Sequence, residues 1–226
     1  MKKIGMILAV EMQAVHKRYG EPKEIRVIHN QKVYVYDRHE FELYVMQCGA
    51  GEIVAAGATQ LLISDCNVEA ILNFGVVGGL TEEISMHRFC VVKSVVHYEF
   101  DTSEADDTLV GQYAEYDTIY IPADAVLLEA AKKQEPRLWE VVCASGNKFI
   151  ASPDEKKCLH ESFDADICEM EAAGILLTCN RNQIPCLLIK MVADGINGGA
   201  KEFFDEFEAA SDFCLDVLDQ IVKEMK

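Results

Sequence analysis

Short apolar runs of strand length alternate along the chain with segments whose apolar residues recur at helical spacing. The runs at residues 3–10, 70–75 and 186–192 are almost wholly apolar, which is typical of strands buried on both faces. The pattern of apolar residues predicts further strands at residues 25–29, 32–38, 41–48, 89–96, 138–144 and 166–168. It predicts helices at residues 11–19, 52–65, 122–134 and 203–225, and after Ser152 and Glu171. The alternation predicts an α/β fold, a three-layer α/β/α arrangement around a central mixed, twisted sheet.

No linker, repeat or low-complexity tract interrupts the pattern, so we expect residues 1–226 to form a single domain. Pro122 is expected near the first turn of its helix, and Ser152 is expected to cap the helix that Pro153 opens. The polar segment at residues 98–116 fits either a solvated insertion or a flap or subunit contact.

The net charge of −17 argues against nucleic acid or an anionic membrane as a partner, because both would be repelled. The apolar N-terminal run is interrupted at Glu11, which favours a first strand over a signal peptide. Nine cysteines without a Cys-x-x-Cys pair indicate reduced thiols, and we expect a cytoplasmic protein. The six histidines form no metal-binding pair at helical spacing, so no metal is expected.

Glu169 and Glu171 lie one residue apart where a helix is predicted to begin. The Ala172-Ala173-Gly174 stretch after them has little side-chain volume, so this turn can pack closely against a neighbouring element. A glutamate held there could accept hydrogen bonds from two adjacent hydroxyls, such as those of a ribose. Alternatively, both glutamates only favour the helix N-terminus.

In open α/β sheets, ligands bind beyond the carboxyl ends of strands. The residues expected there are Glu11, Gln13, Ala50 with its flanking glycines, Gly75, Val76, Asn147, Phe149, Glu169, Met170, Glu171 and Asp194. They include acids, an aromatic ring and close-approach glycines but almost no arginine or lysine, which a phosphate site normally needs. We therefore expect a neutral, hydroxylated, ring-bearing ligand.

Six motifs occur in order over nearly the whole chain. They are Lys3-Ile-Gly-Met-Ile-Leu-Ala9, Cys48-Gly-Ala-Gly51, Asn73-Phe-Gly-Val-Val-Gly-Gly-Leu80, Ser145-Gly-Asn-Lys-Phe-Ile150, Glu169-Met-Glu-Ala172, and Val192-Ala-Asp194 with Phe204-Asp-Glu-Phe207. In these motifs the chain resembles the methylthioadenosine/S-adenosylhomocysteine nucleosidases of the nucleoside phosphorylase/hydrolase superfamily. The resemblance implies the nucleoside phosphorylase fold and hydrolysis of the N-glycosidic bond of a 5′-thio-substituted adenosine. It also implies no cofactor, and a homodimer in which the 98–116 loop helps to close the neighbouring pocket.

Carried over to this sequence, the resemblance makes Asp194 the general acid that protonates the purine N7. It makes Glu171 the residue that binds the ribose hydroxyls and offsets the positive charge that develops on the sugar. Met170 would lie under the ribose, Phe149 would stack on the base, and the Ile150 backbone would contact the base edge. The residues implied around the sugar and its 5′ substituent are Ala50, Val10 and Phe204. For Asp194 the alternative is a turn-forming aspartate, and for the apolar residues it is core packing.

Three positions depart from the family pattern. Gln13 aligns with the glutamate that activates water, with Glu11 two residues earlier; loss of a general base typically costs ~10²–10⁴ in rate. Val76 stands where a serine is usual, and Asn147 where an aspartate is usual.

The departures leave three functions open: a hydrolase that uses water, a purine nucleoside phosphorylase, and a nucleoside-binding homologue that has lost turnover. A phosphorylase should carry arginines after the first strand and before the turn at Gly75, where this chain has Val10 to Gln13 and Asn73-Phe74.

Overall fold

The computed structural model describes residues 2–38 and 40–224. These residues form ten strands and eight helices. In chain order the elements are β1 Lys2–Leu8, α1 Met12–Tyr19, β2 Glu24–Ile28, β3 Gln31–Asp37, β4 Phe41–Gln47, α2 Glu52–Cys66, β5 Ala70–Gly79, α3 Glu82–His87, β6 Phe89–His97, α4 Ser103–Asp106, β7 Ile121–Pro122, α5 Ala125–Gln134, β8 Trp139–Ser145, α6 Pro153–Phe163, β9 Ile167–Glu169, α7 Ala172–Arg181, β10 Cys186–Asp194 and α8 Ala200–Glu224.

One mixed sheet contains all ten strands, as the alternating sequence pattern predicted. The most apolar strands, β1, β5 and β10, lie parallel to one another at its centre, and β4 pairs in parallel with the outer side of β1. Strands β2 and β3 extend that side antiparallel. On the other side, β10, β6, β8 and β9 pair in turn, and β9 returns to pair with β5, which closes this part of the sheet into a ring. The carboxyl ends of β1, β4, β5 and β10 therefore meet at one edge.

Helices cover both faces of the sheet, so the predicted three-layer arrangement is confirmed. Alternate residues of β1 divide between two cores: Ile7 packs in the core that includes residues of α2 and α7, whereas Met6 and Leu8 pack in the core formed with α1, α5 and α8. The long helix α8 contributes Leu218 and Ile221 to the second core, as its amphipathic sequence predicts. No described helix has the length and apolar character that a membrane span requires.

The predicted close approach at the start of α7 is confirmed. A Cβ at Gly174 would lie 2.4 Å from the backbone oxygen of Glu52. Only glycine allows α7 and the first turn of α2 to pack at this distance. This contact brings Glu52 next to the helix start that follows Glu171.

The structure corrects two of the predicted helix boundaries. The helix predicted at residues 122–134 begins only at Ala125, because the Asp124 side chain caps it by accepting the N–H of Leu127 at 2.9 Å. Pro122 instead belongs to the two-residue strand β7, which pairs with β6. The last helix begins at Ala200, three residues earlier than predicted, and its predicted end at Met225 lies outside the described residues.

Two smaller differences concern connections. Ser152 occupies the predicted N-cap position of α6, but its side chain makes no capping hydrogen bond. The segment at residues 98–116 is mostly non-helical, as predicted, but it contains the short helix α4 and is held to β6 by a 2.8 Å hydrogen bond between His97 and Tyr113.

Candidate active site

A cavity of about 260 Å³ opens where the carboxyl ends of the central strands meet. Its lining comes from the segments that follow β1, β4 and β8, from the end of β9 and the two residues after it, from the ends of β5 and β10, and from the start of α8. The lining residues are Ala9, Val10, Glu11, Ala50, Val76, Val77, Gly78, Lys148, Phe149, Ile150, Cys168, Glu169, Met170, Glu171, Asp194, Phe203 and Phe204. Four carboxylates and an apolar wall therefore face one small volume.

The two glutamates at the start of α7 have different surroundings. Glu169 accepts the N–H of Glu171 at 3.1 Å and that of Ala172 at 2.9 Å, and Lys190 Nζ lies 3.2 Å from its carboxylate. Glu169 therefore serves the helix N-terminus. Glu171 makes no capping bond; it accepts the N–H of Gly51 at 3.0 Å and lines the cavity. Burial and the charge of Glu169 raise the pKa of Glu171 to about 7, with Lys190 opposing them.

Behind this pair, the Ser145 hydroxyl lies between two carboxyl groups. It approaches Glu169 Oε1 at 2.5 Å and makes a short contact with Glu52 Oε1. A hydroxyl has one proton to donate, so one carboxyl group must itself donate to Ser145 Oγ. Glu169 accepts from backbone N–H groups and is paired with Lys190, which leaves Glu52 as the protonated member. Burial and the charge of Glu169 correspondingly raise the pKa of Glu52 to about 8.

Asp194, at the end of β10, is 1% exposed and paired with the fully buried Lys156 of α6. Lys156 Nζ lies 2.5 Å from Asp194 Oδ2 and donates to the carbonyl oxygen of Gly195 at 2.7 Å. Asp194 Oδ1 is buried without a protein hydrogen-bond partner, and Asp194 is a cavity-lining residue, so the protein leaves the hydrogen-bonding capacity of this oxygen unused. Burial raises the pKa of Asp194, and the hydrogen bond and charge of Lys156 lower it in part.

Glu11 lies three residues after the end of β1 and is 3% exposed. Its Oε2 accepts the N–H of Val10 at 2.9 Å. A Cβ at Gly75 would lie 3.0 Å from Glu11 Oε1 and 3.7 Å from Lys190 Nζ, so the glycine allows both groups to approach β5. Burial raises the pKa of Glu11, which the Val10 N–H and the Lys190 charge oppose. A buried carboxyl group with a raised pKa is suited to exchanging protons.

The apolar wall is built from aromatic rings at the cavity mouth. Phe149 and Phe203 meet edge to face with ring centroids 5.5 Å apart, and Phe203 and Phe204 meet in the same way. Phe204 is 73% exposed although it lines the cavity, so its ring lies at the opening. Met170 completes this wall beside Glu171. The site can therefore bind a flat ring and an apolar substituent next to hydrogen-bonding carboxylates.

Most residues predicted from the sequence to contact a ligand line this cavity, whereas Gln13, Asn147 and the glycines Gly49, Gly51 and Gly75 do not. Those that line it are Val10, Glu11, Ala50, Val76, Phe149, Ile150, Glu169, Met170, Glu171, Asp194 and Phe204. Gln13 is exposed on α1, because the helix begins at Met12 and turns position 13 away from Glu11 by about 200°. The position that the alignment gave to Gln13 is therefore corrected: Glu11 is the residue of this segment that reaches the cavity. Asn147 also lies outside the lining, because its Oδ1 accepts the N–H of Glu52 at 3.1 Å.

Sequence reasoning missed the buried groups that support the carboxylates. Lys190 is a charged residue inside an otherwise apolar strand. Since a buried lysine needs a partner, that pattern could have shown that Lys190 pairs with a carboxylate. Lys156 and Glu52 lie in helices with other charged or polar residues, and nothing in the sequence distinguishes them from surface positions. Lys148 also lines the cavity, but its Nζ is 2.5 Å from Glu155.

A second, wider hollow of about 670 Å³ lies near Pro185, at the amino end of β10. Its lining includes Glu115, Tyr116, Asn180 and Arg181. Ligand sites of α/β sheets lie at the opposite, carboxyl ends of the strands. The cavity beside Asp194 is therefore the candidate active site.

Fold and cavity together define an α/β protein with a carboxylate-lined site for a small molecule. A family model described as Phosphorylase superfamily matches residues 3–225, and the chain belongs to this superfamily. This confirms the resemblance inferred from the motifs.

Individual relatives agree with this membership. A 5′-methylthioadenosine/S-adenosylhomocysteine nucleosidase of Shewanella pealeana is 30% identical over 212 residues, which is 91% of this chain and 91% of that protein. The crystal structure of the Helicobacter pylori 5′-methylthioadenosine/S-adenosyl homocysteine nucleosidase, in complex with a substituted pyrrolidin-3-ol, superposes with a TM-score of 0.92 and 25% identity over 99% of this chain and 98% of that one. The futalosine hydrolase of Helicobacter pylori has the same fold, with a TM-score of 0.91 and 24% identity over 99% and 98% of the two chains.

Proposed function

We propose that the protein hydrolyses the N-glycosidic bond of a purine nucleoside, a 5′-thio-substituted adenosine, and releases the free base. The observation that carries this proposal is the presence of two carboxyl groups, Asp194 and Glu171, in the lining of one cavity with an aromatic wall. The relatives named as nucleosidases support the same reaction class.

In this proposal Asp194 is the general acid. Its free Oδ1 donates a proton to N7 of the purine, so that the base leaves as a neutral molecule. The burial that raises its pKa favours the protonated form that the reaction requires.

Glu171 accepts hydrogen bonds from the two ribose hydroxyls. Its carboxylate also offsets the positive charge that develops on the sugar as the glycosidic bond breaks, an interaction that strengthens toward the transition state. Since the pKa of Glu171 is raised to about 7, the active form of this residue is populated at neutral and higher pH.

Glu11 activates the attacking water in place of Gln13. It is the carboxyl group that follows β1 into the cavity, and the charge of Lys190 lies near it. The side chain of Val76 also lines the cavity and has no hydrogen-bonding group, so Glu11 is the side chain that orients the water in this proposal.

The apolar residues of the lining contact the rest of the nucleoside. Phe149 stacks on the base, and the backbone of Ile150 contacts the edge of the base. Met170 lies under the ribose. The residues around the sugar and its 5′-thio substituent are Val10, Ala50 and Phe204. An apolar, partly open mouth suits a thioether better than a free hydroxyl or a phosphate.

The charge of the site favours water over phosphate as the acceptor. Among the described residues that line the cavity, Lys148 is the one cation, and Glu155 is paired with it. Lys190, beneath the cavity, is paired with Glu169. A dianion would therefore meet four carboxyl groups and no free cation, which disfavours a phosphorylase.

We further propose a homodimer in which the 98–116 loop of one chain helps to close the cavity of the other. Exposed apolar side chains support this: Ile53 on the first turn of α2 and Leu109 in the loop are 85% and 65% exposed. Sedimentation equilibrium tests the proposal, and a monomer at micromolar concentration would contradict it.

The experiment for the activity is release of adenine from methylthioadenosine, with and without phosphate, by the wild type and by Asp194→Asn. Release that is independent of phosphate and falls by about 10²–10⁴-fold in Asp194→Asn is the expected result. Release only with phosphate would make the protein a phosphorylase. Ligand-induced thermal stabilisation without release would make it a nucleoside-binding protein.

A further inference from the structure

Lys156 is a buried cation with no access to the cavity, held against the carboxyl group proposed as the acid. Its side chain is 0% exposed and the Asp194 side chain 1% exposed, and the two charges meet at 2.5 Å. A buried ion pair of this kind is expensive in desolvation and is weak evidence of a purely stabilising role.

The two oxygens of the Asp194 carboxyl group have different surroundings. Oδ2 is paired with Lys156, whereas Oδ1 has no protein partner and belongs to a cavity-lining residue. The carbonyl oxygen of Gly195, 2.7 Å from Nζ, fixes the ammonium group behind the carboxyl group. The cation is therefore positioned to respond to the charge of Asp194 but not to contact a ligand.

We propose that Lys156 is a positioning residue for the leaving-base step: it stabilises the carboxylate that Asp194 becomes when it gives its proton to the base. This inference rests on the proposed function of Asp194. In the step, the Oδ1–H bond breaks and an N–H bond forms at N7, while the bond between N9 and the sugar breaks and its electrons remain with the base. Asp194 ends as a carboxylate beside Lys156, whose ammonium group keeps its three protons.

The physical reason is the low polarity of the surroundings. A buried carboxylate without a partner costs far more than a buried carboxylic acid, so Asp194 alone would be a poor proton donor. The ammonium group interacts with the carboxylate but hardly with the neutral acid, and this difference assists proton transfer.

Other charged and titratable groups near Asp194 do not take this role. From α8, Glu202 opposes a second negative charge, but it is itself paired with Arg88 at 2.7 Å. From β9, the buried thiol of Cys168 also lies near Asp194, and burial raises its pKa, so it remains neutral at ordinary pH. Lys156 is the cation in direct contact with Asp194 within residues 2–38 and 40–224.

The test compares two leaving groups in Lys156→Met. One substrate is methylthioadenosine, and the other is a 4-nitrophenyl riboside with the same 5′-methylthio group, whose phenolate leaves without being protonated. We expect adenine release at the optimum of the pH profile to fall by about 3–30-fold, because Asp194 becomes a weaker acid, and nitrophenolate release to stay near that of the wild type. The alkaline limb of kcat/KM for adenine release should move up by about 1–3 pH units, because the lost cation no longer favours the ionised carboxyl group.

Two controls separate this role from a structural one. Lys157, the next residue of α6, is exposed. Lys157→Met should release both leaving groups at the wild-type rate and with the wild-type pH profile. In an Asp194→Asn background, Lys156→Met should have no further effect on adenine release, because the amide has no carboxylate to stabilise. Lys156→Gln, which retains hydrogen bonding without charge, serves if Lys156→Met does not fold, and it should show the same pH shift.

Equal loss with both leaving groups, or an unmoved alkaline limb, would overturn the proposal and leave Lys156 a structural residue. If the wild type releases no base at all, the proposed function has failed, and carbon-13 NMR of the Asp194 carboxyl group still tests the coupling. The carboxyl pKa should then rise by about 1–3 units in Lys156→Gln, and an unchanged value would overturn the inference.

Discussion

Replacing Glu52 by glutamine should stabilise the protein at neutral pH, although it removes a buried side chain with several hydrogen bonds. The protonated Glu52 inferred from the contacts of Ser145 donates to the hydroxyl and accepts the N–H of Gly174. The amide of glutamine can do both, since it has one oxygen acceptor and an N–H donor of nearly the same shape. Glutamine therefore mimics the form of Glu52 that the folded protein holds.

The magnitude follows from the raised pKa. Glu52 has an ordinary pKa of 4.5 and a folded-state pKa of about 8, so between these values the unfolded chain loses a proton that the folded protein keeps. The unfolded state then binds fewer protons, and the free energy of unfolding falls as the pH rises through this window. The free energy of unfolding that Glu52 removes in this way is at most about 3 kcal/mol at pH 7, and the loss levels off above pH 8.

The assay is denaturant or thermal unfolding of the wild type and Glu52→Gln at pH 4, 6 and 8. The two should be equal at pH 4 and diverge as the pH rises, with an upper limit near pH 7 of about 6–12 °C in Tm. The matched control is Glu82→Gln, a glutamate that is exposed in the first turn of α3, and it should follow the wild type within about 0.5 kcal/mol. A Glu52→Gln protein less stable than the wild type at every pH would refute the proton assignment, because it would mean that Glu52 acts as a carboxylate.

Three further predictions concern the site and its packing. Glu11→Gln should lower turnover of methylthioadenosine by about 10²–10⁴-fold, whereas Gln13→Ala should stay within about twofold of the wild type; the opposite ranking in initial rates would restore Gln13 as the water-activating position. The kcat/KM should decline as the pH falls below about 7, because Glu171 takes up a proton there; a rate that is flat from pH 8 to 5 would exclude an ionised Glu171 from the reaction. Gly174→Ala should lower the Tm, because the new Cβ would lie 2.4 Å from a backbone oxygen of α2. Gly57→Ala, in α2 itself, has open space around the new Cβ and should raise the free energy of unfolding by about 0.5–1 kcal/mol. Similar Tm values for the two variants would contradict the close helix contact.

Much of the fold was predictable because it depends on hydrophobic patterning over long segments. The strands at the centre of the sheet are apolar on both faces, and α8 repeats its apolar residues at helical spacing, so each pattern has one compatible structure. The boundary at Pro122 was wrong because proline is acceptable both in a first helical turn and at the edge of a sheet. The Asp124 side chain determines where the helix begins, because it caps the helix by accepting the N–H of Leu127.

The site was predictable where it lies at strand ends and not where it depends on three-dimensional packing. Asp194 and Glu171 follow apolar strands, and the loops after such strands meet at one edge of the sheet. Gln13 was misplaced because a shift of two residues at a helix start reverses the direction of the side chain, and alignment of the preceding strand does not determine where the helix begins. Lys156 reaches Asp194 from 38 residues away in sequence, and no local pattern records that contact.

The measurement that tests the proposed hydrolysis most directly is a single turnover of methylthioadenosine in ¹⁸O-labelled water, with phosphate present, for the wild type and Glu11→Gln. The wild type should give free adenine and methylthioribose with one ¹⁸O at C1, and Glu11→Gln should form the same labelled product about 10²–10⁴-fold more slowly. Unlabelled methylthioribose 1-phosphate as the product would contradict the hydrolysis and assign the cavity to a phosphorylase.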